Sequence, residues 1–193
     1  MNAEAVNAYP LPSRWEAFRV AETPAEYVFH RPRVYLETTI ASYLTARPSR
    51  DLNTARLQWI TSRWWNSWHT QFEIFVSSFV LEESKAGNPE AAQRRLNFLK
   101  RFRQLQEDSY CNALRSRLTD ACVLPPDATA DLKHIAIASV HRMEYLVSWN
   151  CAHLANAHIA PKVTAVCSSA GYSCPILCTP LQLLERYENG HKT

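Results

Sequence analysis

A chain of 193 residues, 47% of them hydrophobic, can bury a core of ordinary size, and its length favours one domain over two. With 21 Lys and Arg against 18 Asp and Glu, the net charge of +3 allows a nucleic-acid partner but does not require one. No apolar run approaches the roughly 20 residues of a membrane span, and the N-terminus lacks the pattern of a signal peptide, so we expect a cytoplasmic protein with no membrane partner.

The first 30 residues show no sustained periodicity. Prolines at positions 10, 12 and 24 predict an irregular or short-helical arm over residues 1–30, ahead of one domain over residues 31–193. Residues 33–36 are a β-favouring run that predicts a buried first strand, and Glu37 follows at its carboxyl end. A short helical stretch is expected over residues 41–46.

The rest of the chain alternates between helical and strand patterns. Predicted helices cover residues 51–70, 79–86, 89–104, 131–141, 150–156, 162–170 and 180–187, residues 107–123 are expected to be helical in part, and predicted strands cover 72–76, 145–149 and 175–178. Asp51 is expected to cap the first of these helices, Gly87 to close the second, and Asp127 or Thr129 to cap helix 131–141. This alternation predicts an α/β fold with a mainly parallel sheet of four to five strands, covered on both faces.

Acidic and amide side chains lie near the ends of the predicted strands. Glu37 ends the first strand, Glu83 lies one helical turn past the second, Asp131 opens the helix before the third, and Asn150 ends the third. Reactive groups of an open parallel sheet gather beyond the carboxyl ends of its strands, so these residues are the first candidates for a site. Carboxylates brought together repel unless a cation neutralises them, and oxygen ligands suit magnesium or manganese. Such a site fits phosphodiester hydrolysis by a metal-activated water.

Each of these residues also has an ordinary explanation. A single Glu after a strand is usually solvated or caps a helix, and Asp131 suits the positive end of a helix dipole. Glu82 and Glu83 are neighbours on a helix and cannot share a face, so only one of them points to a common site. The spacing favours Glu83.

Four segments together resemble the PIN-domain ribonucleases, and in particular the VapC-like toxins of bacterial type II toxin–antitoxin systems. They are VYLETTIASYL at residues 34–44, VSSFVLEE at 76–83 followed by Gly87, DLKHIA at 131–136 and YLVSWNCAH at 145–153. The match covers roughly residue 33 to the C-terminus. The resemblance implies a three-layer α/β/α fold, a magnesium or manganese site built from acidic side chains, and cleavage of RNA.

Carried over by position, the resemblance makes Glu37, Glu83 and Asp131 the metal ligands and places Asn150 at the fourth acidic position. Most relatives have Asp where this chain has Glu37, and usually Asp where it has Asn150. The longer side chain shifts the metal outward, and the neutral amide removes one negative charge and weakens affinity for a divalent ion. The alternative function is therefore a PIN scaffold with weak or no catalysis that binds RNA or a partner protein.

Other residues are candidates for supporting roles. Thr38 and Ser148 look like the hydroxyl residues that hold metal-bound water or a ligand carboxylate in such sites. His153 is a candidate for assisting catalysis or contacting phosphate, whereas His134, within an apolar run, is expected to be a core residue with satisfied ring nitrogens. The candidates for binding RNA phosphates are Arg47, Arg50, Arg94 and Arg95, although a basic helix such as 89–104 is usually a solvated face. By resemblance, the partners are RNA, a small antitoxin and a second copy of the chain.

The cysteines and glycines argue against other chemistries. Six cysteines in a cytosolic chain are expected to be free thiols and small buried hydrophobic residues. Those at positions 167, 174 and 178 lack the four tightly spaced ligands of structural zinc. Three glycines leave no phosphate-binding loop and no nucleophile elbow.

Overall fold

The structure, a computed structural model, describes residues 30–190, so the predicted N-terminal arm lies outside the described residues except for His30. Helices and strands alternate along this part of the chain. The strands are β1 (Arg33–Leu36), β2 (Glu73–Ser77), β3 (Arg103–Leu105), β4 (Tyr145–Val147) and β5 (Ile176–Cys178). The α-helices are α1 (Thr38–Thr45), α2 (Leu52–Trp68), α3 (Ser78–Glu83), α4 (Pro89–Leu99), α5 (Ser109–Asp120), α6 (Thr129–Val140), α7 (Ala160–Ser169) and α8 (Pro180–Gly190), and a short 3-10 helix covers His69–Gln71.

The five strands found in residues 30–190 form one fully parallel sheet in the order β3-β2-β1-β4-β5. The chain moves outward from β1 through β2 and β3 on one side, and then returns to build β4 and β5 on the other side. A reversal of this kind leaves a crevice beyond the carboxyl ends of the two central strands. The predicted α/β fold with a parallel sheet is confirmed.

Both faces of the sheet are covered. Val34, Tyr35 and Leu36 are all fully buried, although successive side chains of a strand point to opposite faces. The helices pack in two groups: α1 contacts α2, α3 and α4, and α2 contacts α8, whereas α5 contacts α6 and α7. The result is the three-layer α/β/α arrangement that the sequence predicts.

The sequence prediction is wrong at the edge strand β3. The predicted helix 89–104 ends at Leu99, and residues 103–105 pair with β2. Of these three residues only Leu105 is buried, so neither an apolar run nor an alternation marks the strand. Pairing with β2, which lies far away in the sequence, is what stabilises the extended backbone.

Three local predictions also need correction. Residues 150–156 form turns rather than a helix. Helix α6 follows Ala128 and has no side-chain cap, so neither Asp127 nor Thr129 caps it. Helix α3 ends at Glu83, and Gly87 lies beyond it in a turn with a φ of +83°, a conformation that favours glycine. The predicted cap of α2 is confirmed, because the Asp51 carboxylate accepts the Thr54 N–H at 2.8 Å.

Two further predictions concern membranes and thiols. Within residues 30–190, no helix combines the length and the apolar character needed to span a bilayer. All six cysteines are free thiols, as predicted. Cys122 and Cys151 are exposed, so the prediction that the cysteines are buried is wrong for these two.

Candidate active site

Glu37 stands at the junction of β1, β4 and α1. Its backbone N–H continues the strand pairing to the Val147 carbonyl at 3.1 Å, and its side chain caps α1 by accepting the Thr39 N–H at 3.0 Å. The Thr39 and Ser148 hydroxyls donate to the same oxygen, Oε2, at 2.5 and 2.8 Å. The carboxylate is only 7% exposed, and these three donors offset its loss of hydration. All the hydrogen bonds that the Glu37 carboxylate accepts from the described residues reach Oε2, so Oε1 accepts none of them.

Glu83 is the last residue of α3, the short helix that follows β2. Its Oε2 accepts hydrogen bonds from the Thr38 hydroxyl and, at 3.0 Å, from Nε2 of His134. Burial acts to raise the pKa of Glu83, but the hydrogen bonds from His134 and Thr38 and the charge of Lys133 outweigh it and lower the pKa below its usual value. Glu83 is therefore ionised at neutral pH, and its Oε1 accepts no hydrogen bond from the described residues.

Asp131 lies in the first turn of α6 and is bonded at both carboxylate oxygens. Oδ1 accepts from the Asn150 side-chain amide at 2.9 Å, and Oδ2 accepts from Nδ1 of His153 at 2.8 Å. The Asn150 amide oxygen in turn accepts the backbone N–H of His153 at 3.2 Å. Asn150 and His153 both belong to the turns after β4, so these turns hold Asp131 from the opposite side of the crevice.

Two short hydrogen-bonded links join these three carboxylates at one edge of the sheet. The Ser148 hydroxyl donates to Glu37 and accepts the Asn150 backbone N–H at 2.9 Å, and Asn150 bonds Asp131. Thr38, the residue after Glu37, donates to Glu83. The structure therefore places the four positions singled out in the sequence close together at this edge of the sheet, and each of them is bonded directly to Thr38, Ser148 or His153.

The chemistry of this group fits a divalent cation. Ligand atoms of Glu37, Glu83 and His134 lie within 4.8 Å of one another. Two carboxylates that each keep one oxygen without a described hydrogen bond suit magnesium or manganese, and an imidazole nearby is tolerated better by manganese than by magnesium. Asp131 is not a member of this close group, and its own carboxylate is bonded to Asn150 and His153.

Sequence reasoning missed two residues of this site, Thr39 and Tyr35, and it missed the contact of His134 with Glu83. His134 is buried with both ring nitrogens hydrogen-bonded, as predicted for a core histidine, but one partner is the candidate ligand Glu83. A signal was present, because His134 follows Asp131 by three residues on α6 and this spacing puts both on one helix face.

The four arginine candidates differ in how they are held. Arg47 pairs with Glu90 at 2.7 Å, and Arg94 pairs with the same carboxylate at 3.2 Å while donating to the last carbonyl of α1. Arg95 is half-buried and donates to backbone carbonyls in the turn after α3, whereas Arg50 is exposed. Arg94 contacts the end of α1 opposite to Glu37, and Arg47 and Arg50 follow that end in the sequence; an eight-residue helix is about 12 Å long.

Comparison with known proteins shows a structural likeness. No family model matches the chain, and no curated protein matches it either. A solved structure of VapBC2 from Rickettsia felis, bound to a DNA fragment from their promoter, is similar to this chain with 20% identity and a TM-score of 0.44, over 62% of this chain and 89% of that chain. A likeness this distant carries no inference about function. The fold defines an α/β protein with a parallel sheet, and Glu37, Glu83 and Asp131 are its candidate functional residues.

Proposed function

We propose that this chain is a metal-dependent endoribonuclease of the PIN type, with Glu37, Glu83 and Asp131 as metal ligands. The observation that carries the proposal is the pair Glu37 and Glu83, whose ligand atoms lie within 4.8 Å in the crevice of the sheet, each with one oxygen that accepts no hydrogen bond from the described residues. Bound magnesium or manganese would activate a water and neutralise charge on the phosphate.

The surrounding residues have defined tasks in this proposal. Ser148 and Thr38 donate to one oxygen of Glu37 and of Glu83 and so orient the ligands, as outer-shell partners of metal sites do. Asn150 orients Asp131 and is a ligand or a water-positioning group itself. Because Nδ1 of His153 donates to the Asp131 carboxylate, its Nε2 is left to accept a proton or to face a phosphate.

The substrate is proposed to be RNA, bound through phosphate contacts. Arg47 and Arg50 are exposed and can meet a phosphate backbone, with Arg94 and Arg95 adding charge from more fixed positions. The family resemblance adds a second copy of the chain and a small antitoxin as proposed partners, in the cytoplasm. Light scattering on the purified chain tests the homodimer directly.

One observation favours a second candidate function, a scaffold that binds RNA or a protein without cutting. Both oxygens of Asp131 and one oxygen of Glu37 are bonded by neutral or histidine donors, so much of the acidic charge is stabilised by the protein itself. Asn150 contributes to this by replacing a carboxylate with a donor. Such a scaffold has no need to hold manganese, so metal affinity separates the two functions.

The test is cleavage of a fluorescently labelled single-stranded RNA by the full chain in EDTA, magnesium or manganese. We expect metal-dependent cutting that disappears in Glu83→Gln and in Asp131→Asn. The matched control is Glu82→Gln, because Glu82 neighbours Glu83 but is exposed and pairs with Lys85 at 2.5 Å. Cutting that survives both site variants would contradict the proposal, and RNA binding without cutting in any metal would favour the scaffold.

A further inference from the structure

A buried tyrosine stands behind the candidate metal ligands. Tyr35 is the third residue of β1 and has no exposed surface, yet it carries a hydroxyl where Phe would fill a similar volume. That hydroxyl lies 2.7 Å from Ser77 Oγ and 2.8 Å from Nδ1 of His134. Burial raises the pKa of Tyr35 well above its usual value, so the hydroxyl keeps its proton. A buried hydroxyl costs stability unless it is bonded, and here both of its partners are polar side chains.

His134 connects this tyrosine to Glu83. Its ring is 1% exposed, lies 4.9 Å from the Phe79 ring between centroids, and presents Nε2 to Glu83 Oε2 at 3.0 Å. Because His134 lies three residues after Asp131 on α6, one face of this helix carries both the residue that bonds Glu83 and the residue that bonds Asn150 and His153. The ring is thus held by contacts on three sides: Tyr35, Phe79 and Glu83.

The hydrogen-bond directions in this chain follow from what each group can donate. The ionised Glu83 carboxylate only accepts, so Nε2 of His134 carries a proton. In the neutral ring Nδ1 then accepts, and its donor is the Tyr35 hydroxyl. The Tyr35 oxygen accepts from Ser77, whose own oxygen accepts the Val80 N–H at 3.1 Å. The chain of hydrogen bonds thus runs from the Val80 N–H through Ser77, Tyr35 and His134 to the Glu83 carboxylate, and each donor in it has one acceptor.

We propose that Tyr35 and His134 are positioning residues that hold Oε2 of Glu83 so that Oε1 stays available as a metal ligand. This inference rests on the proposed function, which makes Glu83 a ligand. A free Glu side chain loses rotamer freedom when it binds a cation, whereas one already fixed by His134 and Thr38 loses less. Partners of metal ligands typically change metal affinity by about 10–100-fold.

The test is the affinity of the full chain for Mn²⁺, measured from the electron paramagnetic resonance signal of the free ion. His134→Leu is expected to weaken binding by about 10–100-fold, and His134→Gln, which keeps an N–H donor, to recover part of the loss. Tyr35→Phe keeps the ring and removes only the hydroxyl, so it is expected to weaken binding by a smaller factor. The matched control is His69→Gln, because His69 is a half-buried histidine that bonds the Trp65 carbonyl on α2.

The outcomes separate this inference from the proposed function. If the wild-type chain binds no Mn²⁺, both are overturned. If the wild type binds Mn²⁺ and the His134 and Tyr35 variants bind it equally well, only the positioning role is overturned. Nitrogen coupling to bound Mn²⁺ in pulsed spectra that disappears in His134→Gln would make His134 a ligand and overturn its positioning role. If His134→Leu does not fold, Tyr35→Phe decides the question, since an unchanged affinity there overturns the inference.

Discussion

The carboxylates of Glu37 and Glu83 on one side of the site and of Asp131 on the other are hydrogen-bonded in different ways. On one side, the described hydrogen bonds to the carboxylates of Glu37 and Glu83 all reach Oε2, which leaves one oxygen of each carboxylate for another partner. On the other side, Asn150 and His153 occupy both oxygens of Asp131. Three acids that the sequence presents as equivalent candidates are therefore unequal: Glu37 and Glu83 each keep one carboxylate oxygen without a described donor, whereas both oxygens of Asp131 are bonded.

The largest expected effect on metal affinity comes from removing a carboxylate on the side of Glu37 and Glu83. Glu83→Gln is expected to weaken Mn²⁺ binding by at least about 100-fold, the upper end of what outer-shell changes cost. Asp131→Asn is expected to lower RNA cleavage strongly while weakening Mn²⁺ binding by only about tenfold. Calorimetric titration of both variants, beside Glu82→Gln, measures the two affinities. A larger loss of affinity in Asp131→Asn than in Glu83→Gln would contradict the comparison.

The second prediction concerns the Asp131 side, where a carboxylate is introduced in place of an amide. Asn150→Asp replaces a donor that lies 2.9 Å from Asp131 with a like charge. In EDTA we expect a loss of about 1–2 kcal/mol in the free energy of unfolding, or about 2–8 °C in Tm, because the hydrogen bond is lost and the charges repel. Added Mn²⁺ should restore the Tm and bind more tightly than in the wild type. The control is thermal unfolding of Asn97→Asp, because Asn97 is an exposed residue of α4. If the Tm of Asn150→Asp does not change when Mn²⁺ is added, no cation binds at this position.

A smaller effect is expected for the arginines beyond α1. Replacing exposed Arg47 and Arg50 together with Gln should raise the KM for single-stranded RNA several-fold and leave kcat nearly unchanged. The dependence of log affinity on log salt should flatten by about 0.7 for each phosphate that the variant no longer binds. Fluorescence anisotropy at several salt concentrations measures this slope. Arg117→Gln, which changes an exposed residue of α5, is expected to leave the salt slope unchanged. An equal decrease of the slope in this control would contradict the assignment of Arg47 and Arg50 to RNA binding.

The smallest effect expected is a pH dependence of stability in EDTA. The folded pKa of Glu83 lies below its ordinary value of 4.5, because hydrogen bonds from His134 and Thr38 outweigh burial. Its ionised form therefore stabilises the fold fully above pH 4.5, and this contribution is lost as pH falls through the lowered pKa. Urea unfolding should show a larger advantage of wild type over Glu83→Gln at pH 6 than at pH 3. An advantage that does not change with pH would mean that the carboxylate gains nothing from its donors.

The sequence predicts the layers of the fold because they depend on local patterns, and the same patterns place the candidate acids at strand ends. The buried run at residues 34–36 and the acidic residue after it are visible without any partner. β3 has no such pattern, because its extended form depends on β2. The division of donors between carboxylate oxygens is equally non-local: Ser148 is 111 residues from Glu37, and Tyr35 is 99 residues from His134. Residue types at strand ends predict the chemistry of a site, but only the packed fold shows which atoms stay open.

Glu37 also has a consequence for how the site can be observed. The same carboxylate caps α1 through the Thr39 N–H and offers its second oxygen to the crevice. Anything that fixes this side chain also fixes the start of the helix, and by thermodynamic reciprocity anything that frays the helix loosens the site. If a cation binds Glu37, deuterium exchange at the Thr39 amide is therefore expected to slow, although the cation makes no contact with that backbone proton.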